Sequence, residues 1–184
     1  VTAAVGSVML TMFITLYPSF MQYMGGTFKV MMPLYALVFV GTTFLTIAYY
    51  YSWDRMAAPG SKWVHLSIGV LAVVFGTSLL LLANAWSAFM MAPSGVDGQG
   101  RYLGNPWHLL RSALWNPLNL HRFLADIMSG GAVVLAYACY RFFSGKSQEE
   151  RAYYDWVGYV FLFVTVCALL PMPFAGYWLM RSVY

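Results

Sequence analysis

The chain has 184 residues, 61% of them hydrophobic and only 9% charged, with a net charge of +4. An ordinary soluble domain carries about 25% charged residues, so this composition excludes one and indicates an integral membrane protein. The ten Lys and Arg residues are scattered and form no basic run, which argues against a nucleic-acid partner.

In chain order the hydropathy predicts five membrane-crossing helices. The first covers residues 3–23 and is interrupted by Pro18, which predicts a kink or an early end. Gly25-Gly26 reads as a short turn. The second covers residues 30–51, with Pro33 in its first turn and an aromatic exit through Tyr49, Tyr50, Tyr51 and Trp53. The segment SWDRMAAPGSK reads as a polar loop, with Pro59-Gly60 as its turn signal. The third span covers residues 63–91, with Gly69, Ala72, Gly76 and Ala83 along one side as a helix-contact face. His65 opens this span and reads as a surface histidine.

A long loop over residues 92–117 follows, and its WHLLRSALW segment predicts a short interfacial amphipathic helix. The fourth span, residues 115–142, starts at Asn116-Pro117, since proline suits a first helical turn. Its first two turns hold His121, Arg122 and Asp126, and ionisable groups inside a membrane are costly unless paired or used. Ala125, Ser129, Ala132 and Ala136 continue on one face as a stripe of small side chains. SGKSQEER reads as a polar loop, and the fifth span covers residues 154–170, ending at LPMPFAGYW. The expected fold is an all-α integral membrane protein, a single transmembrane domain over residues 1–184 with one short interfacial helix. The 14 tyrosines and 7 tryptophans suit interfacial belts.

Five spans place Arg55, Lys62, Arg141, Lys146 and Arg151 on one side, and Lys29, Arg101, Arg111, Arg122 and Arg181 on the other. The counts are equal. The first set crowds two short loops, which favours that side as cytoplasmic.

YYYSWDRM, LLLLANAW, then WNPLNLHRFLADIMSGGAVVLAYACYRFFSGKSQEER and FAGYW, in this order and spacing, resemble the larger subunit of the cytochrome bd quinol oxidases. In that family an aromatic helix ends in a Gly-Trp-Asp-Arg turn and the next helix closes with Ala-Asn-Gly-Trp. The helix after that opens with Asn-Pro and has Ser-Gly in its middle. The resemblance implies that the chain matches roughly helices two to six of a longer subunit, in a bacterial-type cytoplasmic membrane. It also implies that the loops holding Trp53-Asp54-Arg55 and GKSQEER are cytoplasmic. Hemes, quinol and further membrane subunits are the cofactors and partners it suggests.

The departures are specific. The histidine for the family's oxygen-reducing hemes belongs to a helix before Val1, and its low-spin heme histidine falls on Ala125. No Asp or Glu occurs in residues 1–53, where the family carries proton-delivering acids. The family's Gly-Asp-Glu-Ser-Gly-Tyr segment is replaced by PMPFAGY, and its quinol-binding loop and methionine ligand lie beyond Tyr184. The expectation is therefore a piece or a divergent subunit, not a complete oxidase.

His121, one turn before Ala125 on nearly the same face, is the candidate ligand for a b-type heme iron. Ala125, Met128 and Ala132 are candidates to line the porphyrin slot, with His108 or Met172 as the second ligand. Arg122 is then expected to pair a propionate, or Asp126 to accept the imidazole N–H and hold the ring. Two other readings stand beside this one. In the first, His121 is an interfacial histidine that caps the helix; in the second, it hydrogen-bonds a quinone or quinol. Cys139 and Cys167 differ too much in depth to form a disulfide. Two functions follow: a heme-bearing, quinol-linked electron carrier, or a heme-less subunit that scaffolds a redox complex.

Overall fold

A computed structural model of the chain describes residues 12, 15–56, 59–99 and 101–183. They are all-helical apart from turns, one long loop and an antiparallel bridge between Val96 and Tyr102. Four stretches are long and apolar enough to cross a bilayer: Met31–Ser52, Gly60–Met91, Trp115–Ser144 and Gln148–Val183. The expected first span falls largely outside the described residues. Large apolar side chains stand exposed along the spans, among them Leu37, Phe44, Val73, Val133 and Phe163. Such an exterior suits hydrocarbon and not water. The protein is multi-pass. It divides into two compact units, Val1–Ser112 and Ala113–Tyr184.

The first unit contains α1 (Pro18–Thr27), α2 (Met31–Ser52), α3 (Pro59–Met91) and a 3-10 helix, Pro106–Arg111. Helical structure breaks at Tyr17 and resumes with Pro18, because proline disfavours helix in the residue before it and fits a first turn. Gly25 and Gly26 are not a turn: they lie inside α1, and the turn residues are 28–30. Two helical glycines cost about 1 kcal/mol each relative to alanine. The position of the turn follows from Phe28, which is fully buried and sets its ring edge-on to Phe89, centroids 5.5 Å apart.

The Pro59-Gly60 turn signal also resolves differently. Pro59 is the first residue of α3, so the connection is confined to the residues between Ser52 and Pro59. Helices α2 and α3 then pack as an antiparallel hairpin in which glycines receive aromatic rings. A Cβ on Gly41 would stand 2.5 Å from Phe75, and one on Gly69 would stand 2.8 Å from Tyr49. The core of the unit lies at the far end of α3, where Ala85, Ala88 and Phe89 are buried with Phe28 and Met31.

The long loop is ordered by its own polar groups. Asp97 accepts from the backbone N–H groups of Gln99 and Arg101, at 2.9 and 2.7 Å. Gly95 takes a positive φ of 73°, and Tyr102 packs edge-on to Phe89. The expected amphipathic α-helix is a six-residue 3-10 helix. Asn105 caps it by accepting from Trp107 N–H, and extended backbone at Ser112 ends it. Trp115 therefore opens the next helix and does not continue this one.

The second unit contains α4 (Trp115–Ser144), α5 (Gln148–Leu169) and α6 (Met172–Val183). Pro117 sits in the first turn of α4, as its sequence position implies. Ser147 caps α5 by accepting from Glu150 N–H at 3.1 Å, so most of the expected polar loop is helical. Glu150 in turn forms an ion pair with Arg141, whose guanidinium lies 5.1 Å from the Tyr154 ring centroid. Pro171 separates α5 from α6. Cys139 and Cys167 are both free thiols.

Candidate functional site

Helix α4 presents two different small-residue faces. Gly131 and Ala138 are buried, and they are the contact face for α5: a Cβ on Gly131 would stand 2.5 Å from Thr165 Oγ1, and one on Gly158 would meet Ala138 at 3.8 Å. The stripe formed by Ala125, Ser129, Ala132 and Ala136 points elsewhere. Ala125 is half-buried, and the other three are exposed. Gly130 likewise has nothing within 4 Å of a Cβ position. One face thus builds the helix pair and the other stays open.

His121 stands at the head of the open face and is half-buried. A Cβ on Gly176 of α6 would stand 3.5 Å from its Cε1 and 3.6 Å from its Nδ1. This edge of the ring is closed by α6, and Nδ1 is enclosed with no hydrogen-bond partner. Nε2 is not among the enclosed, partnerless polar atoms of the described residues. Asp126 is exposed and does not accept from the enclosed Nδ1, so the expected carboxylate-imidazole pair does not form. Arg122 and Met128 are half-buried on the same helix.

Gly131 facing Thr165 and His121 facing Gly176 show that α5 and α6 together run antiparallel to α4 in one register. That register sets Met172, four residues before Gly176, level with Ala125, four residues after His121. Met172 therefore lies on the helix that closes the ring's Nδ1 edge. His108 is exposed on the 3-10 helix of the other unit. Among the described residues no group of three or more His, Cys, Asp or Glu converges as a metal-ion cage.

A half-buried imidazole at the head of an open, small-residue helix face fits a flat apolar prosthetic group held on that side. The fit is incomplete on the closed side, where a ligating ring is ordinarily oriented by a hydrogen bond from its other nitrogen.

A second histidine was misjudged from sequence. His65 is half-buried and not simply a surface residue: its ring stacks on Tyr49 at 4.2 Å, meets Trp53 edge-on at 5.2 Å, and its Nε2 is enclosed with no partner. Ser52, itself buried, lies 2.9 Å from His65 Nδ1 and donates its hydroxyl proton to the Tyr49 carbonyl at 3.2 Å. The signal was available in the sequence. Ser52 closes one apolar span and His65 lies in the first two turns of the next, and a helical hairpin brings such residues together.

No curated protein matches the chain, and no solved structure matches it either. The family described as cytochrome bd terminal oxidase subunit I matches it over residues 1–184. An all-helical, multi-pass chain matched along its whole length is a member, and this protein belongs to the cytochrome bd terminal oxidase subunit I family of membrane respiratory oxidase subunits.

Proposed function

We propose that the chain is an electron-carrying membrane subunit that holds a b-type heme against α4 through Nε2 of His121, in a hetero-oligomeric complex linked to quinol oxidation. The placement of His121 supports this reading: its Nδ1–Cε1 edge lies against Gly176 of α6, and Ser129, Ala132 and Ala136, further along α4, are exposed. A heme bound there supplies a one-electron carrier inside the bilayer. His121 would hold the iron, Ala125 and Ala132 would leave room for the plane, and Met128 would border it. Arg122 would pair a propionate. The lack of any Asp or Glu in residues 1–53 supports electron transfer over proton-coupled oxygen reduction on this part of the chain.

The test is a pyridine hemochrome assay on the intact purified complex. One b heme lost in His121→Ala, with helicity unchanged by circular dichroism, is the expected result. A full heme complement in that variant overturns the assignment.

The orphaned Nδ1 favours a second reading, a heme-less subunit that scaffolds a redox complex. That reading predicts no b-type absorbance and tolerance of His121→Ala.

A further inference from the structure

Between α2 and α3 runs an open apolar groove of about 630 Å³, lined by Thr46, Tyr49, Leu66, Gly69 and Val73 among others. Its wall is fixed. The Tyr49 ring is held on one side by the stacked His65 and lies over Gly69 on the other. Thr46 offers no free donor to the groove, because its hydroxyl is spent on the Thr42 carbonyl at 2.8 Å. The slot therefore suits a hydrocarbon chain and not a polar group.

The charge at its head identifies what the hydrocarbon belongs to. At 3.6 residues per turn Lys62, Leu66, Gly69 and Val73 fall within roughly 60° of one line along α3. Lys62 stands in the first turns of the helix, and Gly69 lies about 10 Å deeper at 1.5 Å per residue. Lys62 is exposed and forms no ion pair among the described residues. An unpaired ammonium at the interface above an apolar slot is complementary to a phosphodiester with an acyl tail.

We propose that the α2–α3 groove is a defined phospholipid site, with one acyl chain against Tyr49, Gly69 and Val73 and the lipid phosphate on Lys62. The site is independent of any heme at His121.

Native mass spectrometry of the intact complex, released from phosphatidylglycerol nanodiscs, tests this. One retained phosphatidylglycerol per chain is expected. Retention falls about fivefold in Lys62→Gln, the order expected for one cation near an anionic headgroup. It is lost in Gly69→Leu, whose side chain fills the groove, and is unchanged in Arg101→Gln. Lys62→Gln alters an exposed side chain, so it reads out even where Gly69→Leu fails to fold. Equal retention in Lys62→Gln and the unaltered protein overturns the proposal. Disulfide cross-linking of Val73→Cys to a partner polypeptide in native membranes does the same, since a protein helix would then occupy the groove.

Discussion

The imidazole of His65 lies against the ring of Tyr49, centroids 4.2 Å apart and planes 20° from parallel, across the hairpin of α2 and α3. Stacking, the Ser52 hydrogen bond and the Trp53 edge contact meet in one residue. His65→Ala removes all three and lowers stability by about 1–3 kcal/mol. His65→Phe keeps the stacking and removes the enclosed, partnerless nitrogen, so it costs less. Thermal unfolding in detergent should rank unaltered protein, Phe, then Ala; an Ala variant as stable as the parent contradicts the packing described.

Neighbouring glycines on α4 should respond in opposite ways. Gly131→Ala drives a Cβ into Thr165 Oγ1, and loosening the α4–α5 contact costs about 1–3 kcal/mol. Gly130→Ala meets nothing within 4 Å and gains helix propensity, so it is neutral or stabilising by up to about 1 kcal/mol. Parallel denaturation curves decide the matter. Equal destabilisation of the two would mean that another chain covers the Gly130 face.

Gly176→Leu tests the closed edge of His121. A Cβ at position 176 would already be in van der Waals contact with the ring at 3.5 Å, so the longer leucine side chain crowds the imidazole on that edge. If His121 ligates a heme, the b-type absorbance band moves or weakens while the α4–α5 contacts at Gly131 persist. An unchanged spectrum in a heme-containing complex would place the ligand elsewhere.

Ser147→Ala removes the cap of α5 and should cost roughly 1 kcal/mol. Hydrogen exchange of the Glu150 amide reports it directly, because that N–H is donated to Ser147 Oγ. Arg141→Leu breaks the neighbouring ion pair but leaves this cap in place, so protection at Glu150 should fall in the first variant and hold in the second.

Residue order alone settled the membrane class, the helical fold and the limits of most spans, because crossing a bilayer is a matter of local length and hydropathy. The expected span over residues 30–51 became Met31–Ser52, and that over residues 115–142 became Trp115–Ser144. Family membership was legible too, in the spacing of short motifs. Turn chemistry was less so: Gly25-Gly26 and Pro59 read as breaks, yet both are helical, since glycine permits a turn without requiring one and proline also begins helices.

Which side chains meet was decided by packing. His121 and His65 look alike in sequence, each near the start of an apolar span. Tertiary contacts set them apart: α6 seals one nitrogen of His121, whereas Ser52, Tyr49 and Trp53 enclose His65. The same holds for the small residues of α4, where Gly131 receives Thr165 and Ala132, its neighbour in sequence, stays open. Hydropathy is a property of each residue on its own, whereas contact depends on the register between helices, which only the folded chain fixes.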